Sequence, residues 1–357
     1  MRHRHLSNVI CILIAISVFS ADVSLADPPH RRSKVIKRVD FDFSTRDRRA
    51  AGSDNWPVTW ADDDHQYSAW GDGGGFGGTN RDGRVSLGVA RIEGPFGKHS
   101  GHNVWGGKSP KGKAQFGGKS YGILCVDGVL YMWVGPGSNT TSYREARICK
   151  SEHHGETWSK ADWAFVKSDG LIMPTICQFG KDYAGARDDY VYSYFIRLQG
   201  KPSNLNVHKP GQIDLARVPR AKLMERAAYE FFAGMDSQRQ PSWTDDVRAS
   251  RPVFEDPRGV GWCMSVSYNA GLKRYLLSTE HDTSFRGNLG IFDAPEPWGP
   301  WTTVAYESNW GNFGSTFFWN FSNKWLSADG RNFTLIFTGT GRNDSWNTVR
   351  GKFIVDK

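Results

Sequence analysis

The chain has 357 residues, a formal net charge of +8 and 23% charged residues, with 15 Trp, 40 Gly and only five Cys. The charge is uneven: residues 1–49 hold ten Lys/Arg against five Asp, a net +5, which leaves +3 from Ala50 onward. A body so near neutrality argues against a nucleic-acid groove, which needs a concentrated basic face.

In chain order, residues 1–5 form a basic n-region, and residues 9–19 an apolar core too short to span a bilayer. Ser24-Leu25-Ala26 offers a small-x-small cleavage site, with Ser20-Ala21 as a second choice. Residues 1–26 therefore read as a signal peptide, and the mature protein is expected to be secreted or periplasmic, without stable membrane insertion. Residues 27–49 read as a basic, extended leader, more simply a solvated linker than a functional arm. Residues 50–357 read as one all-β body, expected to be a monomer. Cys11 leaves with the signal, so Cys125, Cys149, Cys177 and Cys263 remain. Their spacing fits no zinc site, and both buried thiols and disulfides stay open.

Residues 53–76 (SDNWPVTWADDDHQYSAWGDGGGF) read as a β-hairpin: an aromatic strand, an acidic turn at residues 62–65, and a second aromatic strand. Asp54 and Asp72 lie symmetrically about that turn, so pairing in register sets them opposite each other at one end. Two carboxylates held on a rigid hairpin suit acid/base work on a sugar. Trp56, Trp60, Trp70 and Phe76 flank them as candidates for a stacking platform, although alternate tryptophans in a strand more often pack a core. Asn80 and Arg81, after the glycine run, are candidates for binding sugar hydroxyls. The run Asp62, Asp63, Asp64 and His65 reads as a solvated turn, and no metal or cofactor is expected.

The rest alternates short aromatic or β-branched runs with Gly, Asn, Asp and Pro clusters. Only residues 215–232 have helix-forming content, read as a short surface turn of helix. Hairpin-like units recur at residues 58–72, 123–135, 189–197, 264–279 and 325–339, the third showing only its second half. Such spacing predicts a five-bladed β-propeller, with a β-sandwich as the alternative. SEHHGETW (residues 151–158) follows the S-x-D-x-G-x-T-W turn of propeller blades known as the Asp box, with His153 where Asp is usual. Its role is structural, and His153 and His154 are expected as exposed turn residues. Glu280, His281 and Asp344 follow later strands and are candidates for reaching the same mouth. No Ser-His-Asp order, phosphate-cradling loop, HExxH or EF-hand pattern is present.

The DNWP, TWADDD and WGDGGG blocks resemble a family of secreted bacterial proteins catalogued as a domain of unknown function, which includes endo-D-arabinanases. Three later segments look similar to the same family: YNAGLKRYLL (268–277), GIFDAPEPWGPW (290–301), and residues 329–345. The resemblance implies a five-bladed propeller that hydrolyses the D-arabinan of mycobacterial arabinogalactan and lipoarabinomannan in a central cleft. It implies two essential aspartates, here Asp54 and Asp72, and inversion; the close pairing expected from the hairpin suits retention as well, and only side-chain directions decide. Asp72, beside Gly73 and Trp70, is the expected acid, because an apolar setting raises a carboxyl pKa. The expected partner is a polysaccharide. The competing readings are a non-catalytic carbohydrate-binding propeller, a sialidase-like hydrolase, and an exported structural or adhesion propeller. A sialidase would need an arginine cluster and a tyrosine nucleophile that the sequence does not assemble.

Overall fold

The computed structural model describes residues 27–135, 144–199, 206–339 and 341–356. The expected signal peptide lies outside the described residues. Runs of β-branched and aromatic residues broken by Gly, Asp and Asn form strands, and these assemble into five antiparallel sheets. Blade 1 is Val58–Trp60, Gln66–Trp70, Gly88–Glu93 and Ser100–Trp105. Blade 2 is Lys119–Val126, Val129–Gly135 and Glu145–Ser151, edged by Ser159–Lys160 and Phe165–Val166. Blade 3 is built on Leu171–Ile176, Tyr190–Arg197 and Gly211–Pro219, extended by Glu230–Met235, Pro241–Thr244 and Pro252–Asp256. Blade 4 is Ser265–Asn269, Arg274–Glu280, Leu289–Ala294 and Thr302–Glu307. Blade 5 is Thr316–Phe321, Asn332–Gly339 and Trp346–Val355, completed by Ile36–Arg49 from the N-terminal region.

This is the five-bladed β-propeller, not the sandwich. The first strand of each blade lies innermost, and a parallel bridge from Gln178 to Ser267 links blades 3 and 4 at the axis. All five inner strands therefore enter from one face, which fixes a mouth where they begin. Val58, Ile123, Ile176, Val266 and Phe321 line the axis, which has room for about one water molecule. Below the mouth the ring is effectively closed.

Local chemistry explains the hairpins. In blade 2, Val126 pairs with Val129, so Asp127 and Gly128 form a two-residue turn, both with positive φ (52° and 74°). That is the turn whose twist matches the strands it joins. The blades pack through aromatic side chains; Trp133, Phe165, Phe195 and Tyr229 form edge and tilted contacts between blades 2 and 3.

Two expectations change, and a third is refined. The boundary expected at residue 50 does not separate a linker from the body. Ile36–Arg49 pairs antiparallel with Trp346–Val355, so strands from the two ends of the chain close the ring. The short surface turn of helix expected within 215–232 takes 3-10 form, as single turns at Arg220–Lys222 and Arg226–Ala228; the rest of the stretch is the end of one strand and the start of Glu230–Met235. The fifth repeat unit is displaced: the inner strand is Thr316–Phe321, and residue 325 lies in the following turn. Cys125, Cys149, Cys177 and Cys263 are free and buried. Among the described residues, no helix is long and apolar enough to cross a membrane.

Candidate active site

Asp54 precedes the inner strand of blade 1, and Asp72 follows the second strand. Val58 pairs with Ser68, a register that would set Asp54 against Asp72. The observed bridge joins Asp54 to Gly71 instead, through N–H···O bonds of 2.9 and 2.8 Å. The slipped residue is absorbed as a bulge, with Asn55 (φ 55°) and Asp72 (φ 51°) in the left-handed region. Gly71 leaves space above it: a Cβ there would stand 3.1 Å from both Asp54 Oδ1 and the Lys119 stem. Gly73 is equally constrained, because with φ at 83° a Cβ would meet the Gly52 carbonyl at 2.0 Å.

Trp56 and Trp70 are fully buried, which removes them from the stacking platform. They act as struts. The Trp56 indole donates to the carbonyl of Ser53 (3.1 Å), and the Trp70 indole to that of Gly73 (3.2 Å). Each strut thus fixes the residue next to one of the two aspartates. Phe76 packs its ring against Trp56 and Trp346 and lies half-buried. Asn80 and Arg81 are exposed; the Asn80 side chain accepts from Arg84, and it is Arg84, not Arg81, that turns to the aspartates.

The charges around Asp72 come from two neighbours that sequence reasoning missed. Lys119, at the start of the inner strand of blade 2, has a side chain only 4% exposed and places Nζ 2.7 Å from Asp72 Oδ1. Arg84 approaches the same oxygen at 3.2 Å. Asp54 stands differently. Its Oδ1 is sealed from solvent without a hydrogen-bond partner, and burial pushes its carboxyl well above the usual range. Asp344 and Asp72 push it further; Lys119 and Arg84 oppose them. Asp344 joins from blade 5, where its carbonyl accepts the Gly52 N–H at 2.6 Å. Burial, then Asp72, push its carboxyl up to about 6 against Arg84, Lys119 and Arg48. Three carboxyl groups and three cations therefore meet at the mouth, with Asp72 clasped by two cations and Asp54 driven toward its neutral form.

Blade 4 supplies a fourth carboxyl. Glu280 is completely buried, and that burial pushes it up to about 8, only partly offset by the N–H that Phe285 donates to Oε1 (2.8 Å). Its Oε2 has no partner. Between Glu280 and Asp54 lies Cys263, whose thiol is 3.5 Å from Asn55 Oδ1 across the axis. Next to it Trp262 packs on Tyr121, Phe285 and Phe317, an aromatic cluster that sequence reasoning also missed. His281 is not at the surface of the mouth. It is buried, stacked on Tyr306 at 3.7 Å and hydrogen-bonded to Asp282 at 2.7 Å, so it braces the loop behind Glu280.

The opposite face holds the acidic turn and the Asp-box turn. Asp62, Asp63 and His154 bring potential ligand atoms within 4.8 Å of one another, the set that could hold a cation there. These groups already have partners: His154 Nε2 to Asp62 Oδ1 (2.9 Å), and Tyr67 OH to Asp63 Oδ2 (2.7 Å). In the Asp-box turn, Ser151 Oγ accepts the Gly155 N–H (2.9 Å) and Trp158 donates to the Gly155 carbonyl (2.9 Å). That turn is structural and far from the mouth.

The fold is similar to that of a "putative hydrolase" from Bacteroides ovatus ATCC 8483, with a TM-score of 0.51 and 13% identity, over 84% of this chain and 85% of that one. It is also similar to RS223-β-xylosidase, with a TM-score of 0.50 and 11% identity, over 85% and 93% of the two chains. At such identities the likeness is one of fold. No curated protein matches the sequence. Residues 123–313, from the inner strand of blade 2 to the approach to blade 5, match the domain of unknown function DUF4185, so that more than half of the chain is covered and the chain belongs to that family.

Proposed function

We propose that this protein is an exported glycoside hydrolase that cuts a furanose polysaccharide, with D-arabinan as the substrate class, from within the chain. The observation that carries the reading is the unequal environment of two neighbouring carboxyls at the propeller mouth. Asp72 is paired with Lys119 and Arg84, while the buried Oδ1 of Asp54 is unpartnered and its carboxyl held toward the neutral form. A carboxyl held toward its neutral form suits the acid, and an ion-paired carboxylate beside it suits the base.

The division runs opposite to the one expected from the sequence. Trp70 turns its ring into the core, so it does not provide the apolar setting that would have made Asp72 the acid. Asp54 is the proton donor to the leaving glycosidic oxygen. Asp72 accepts a proton from the attacking water, the hydroxide adds to the anomeric carbon, and the carbon–oxygen bond breaks with inversion. Asp72 then releases its proton to solvent and Asp54 recovers one from it, which restores both groups. Asp344 keeps the proton on Asp54 by repulsion. The propeller shared with a β-xylosidase is consistent with this reading, as is the family resemblance of the first block, which lies outside the matched span.

The test is a product assay of purified protein on mycobacterial arabinogalactan, beside plant L-arabinan and a sialoglycoconjugate, with Asp54→Asn and Asp72→Asn as controls. The expected result is oligosaccharide release from D-arabinan that both variants lose. Release by the Asp54→Asn variant at the wild-type rate would sink the proposed mechanism.

A further inference from the structure

Where blades 2 and 3 meet, Tyr121, Trp133 and Leu171 leave room for about one water molecule. Where blades 5 and 1 meet, the seam instead opens into a groove of about 650 Å³. That size falls within the roughly 300–1,000 Å³ typical of ligand sites. The inner strands run away from the mouth. Asn332, which begins the second strand of blade 5, and Phe96, in the turn after Gly88–Glu93, therefore lie at the end remote from it.

The floor of the groove is one face of blade 5. Lys352 pairs with both Asp40 and Asn332, and Arg350 with both Asp42 and Thr334, so two polar rows cross three strands. Alternation along each strand puts all six side chains on that face. Two Asp balance Arg350 and Lys352, and the other lining cation, Lys324, is held by Asp64 (2.9 Å). The wall is aromatic. Trp325 and Phe96 are both half-buried and meet edge to face, with ring centroids 6.1 Å apart. The Trp325 indole donates to the Gly94 carbonyl (3.3 Å), and the buried His99, outside the groove, packs on its ring at 4.9 Å. Arg350 lies 4.3 Å over the Phe96 ring and ties floor to wall. Both rings are thus fixed in place, with apolar surface left on the groove.

These features select the occupant. An apolar partner would strip water from the charged floor without pairing it. A polyanion would meet as many repelling as attracting charges on that floor. A peptide strand adds to a sheet edge, and the floor is a face. A neutral sugar chain suits both surfaces, because its hydroxyls donate and accept along the polar rows and its C–H faces pack on rigid rings. We infer that this groove is a second glycan-binding site, which holds a distant stretch of the same polysaccharide that is cut at the mouth. The identity of the sugar rests on the proposed substrate; the groove does not rest on turnover. Holding the polymer at two places raises its effective concentration at the mouth.

The experiment is affinity electrophoresis of the Asp54→Asn protein in gels containing arabinogalactan, read against polymer-free gels. Kinetics of the protein with Asp54 intact are measured on the polymer and on a short D-arabino-oligosaccharide that cannot span both sites. The parent is compared with Trp325→Ala and with Asn332→Ala combined with Lys352→Ala, a pair of exposed side chains. Both groove variants should bind the polymer at least about tenfold more weakly, with KM for the polymer raised by a similar factor. Their kinetics on the oligosaccharide should not change. Undiminished retardation in both variants overturns the inference. So does an equal loss on the oligosaccharide, which would mean that the substitutions reach the mouth through His99 and its neighbour Trp346. If Trp325→Ala does not fold, the exposed pair decides alone. Retardation lost in the groove variants, with no hydrolysis of any substrate by the wild type, would sink the hydrolase reading and leave the groove standing. Hydrolysis with retardation unchanged in both variants would do the reverse.

Discussion

Replacing Glu280 by Gln should stabilise the protein, and more so as pH rises. Glu280 is fully buried, and its carboxyl is pushed from an ordinary 4.5 up to about 8. In the unfolded chain it ionises near its ordinary pKa, so between those two values the folded state binds the extra proton. Stability must therefore fall as pH rises through that window, the reverse of the usual salt-bridged carboxylate. At pH 5 the cost is under about 1 kcal/mol, and at pH 7 roughly 3 kcal/mol, since each pKa unit is worth about 1.4 kcal/mol. Gln keeps the shape and the acceptor for the Phe285 N–H but carries no titrating proton. The wild type should lose roughly 2 kcal/mol between pH 5 and 7 that the variant keeps, or about 3–4 °C of Tm for a chain of this size. Thermal unfolding of both proteins at the two pH values reads it directly. A Tm difference between variant and wild type that stays the same at pH 5 and 7 would refute the reasoning.

The other predictions concern the mouth and the ring. Asp54→Asn and Asp72→Asn should each lower turnover by at least about a hundredfold, with glycan affinity in calorimetry kept near the wild-type value. Asp344→Asn removes a charge that raises the Asp54 pKa, so the high-pH limb of the pH–rate profile should move to lower pH; an unmoved limb would contradict the coupling. Trp70→Phe leaves the Gly73 carbonyl without its indole donor, an expected loss of about 1–3 kcal/mol in denaturant unfolding, with kcat falling more than KM. Deleting residues 27–49 strips the outermost strand from blade 5 and should abolish cooperative unfolding in calorimetry, whereas a linker would leave the melt unchanged.

The hairpin at residues 53–76 was legible because alternation has a period of two and its turn is bounded by acidic residues. Its register was not. The slip that pairs Asp54 with Gly71 depends on left-handed backbone at Asn55 and Asp72, residues whose type permits that conformation without requiring it. Which face the tryptophans take was equally closed to inspection: Trp56, Trp60 and Trp70 share a parity with each other and with the aspartates, and only packing against Trp346 of blade 5 decides. Asp344 could be picked out because it follows the last repeat unit, and propeller topology returns each such link to one face. Lys119 and Arg84 had no local signal, since their meaning comes from blades brought together by ring closure. Ile36–Arg49 looked like a solvated leader because an edge strand carries charge outward, and its partner is some three hundred residues away.

That closure links the stability of the ring to the chemistry of its mouth. The strand that completes blade 5 also carries Arg48, which holds Ser345 and acts electrostatically on Asp344, and Asp344 in turn holds the proton on Asp54. A chain that had not closed its ring would expose Asp344 to water, whose high dielectric screens its repulsion of Asp54. Asp54 would then keep its proton less firmly. Acid and base are distinguished here by the whole ring and not by the hairpin that bears them. For that reason two carboxylates on one hairpin, which the sequence displays openly, do not by themselves reveal which is the acid.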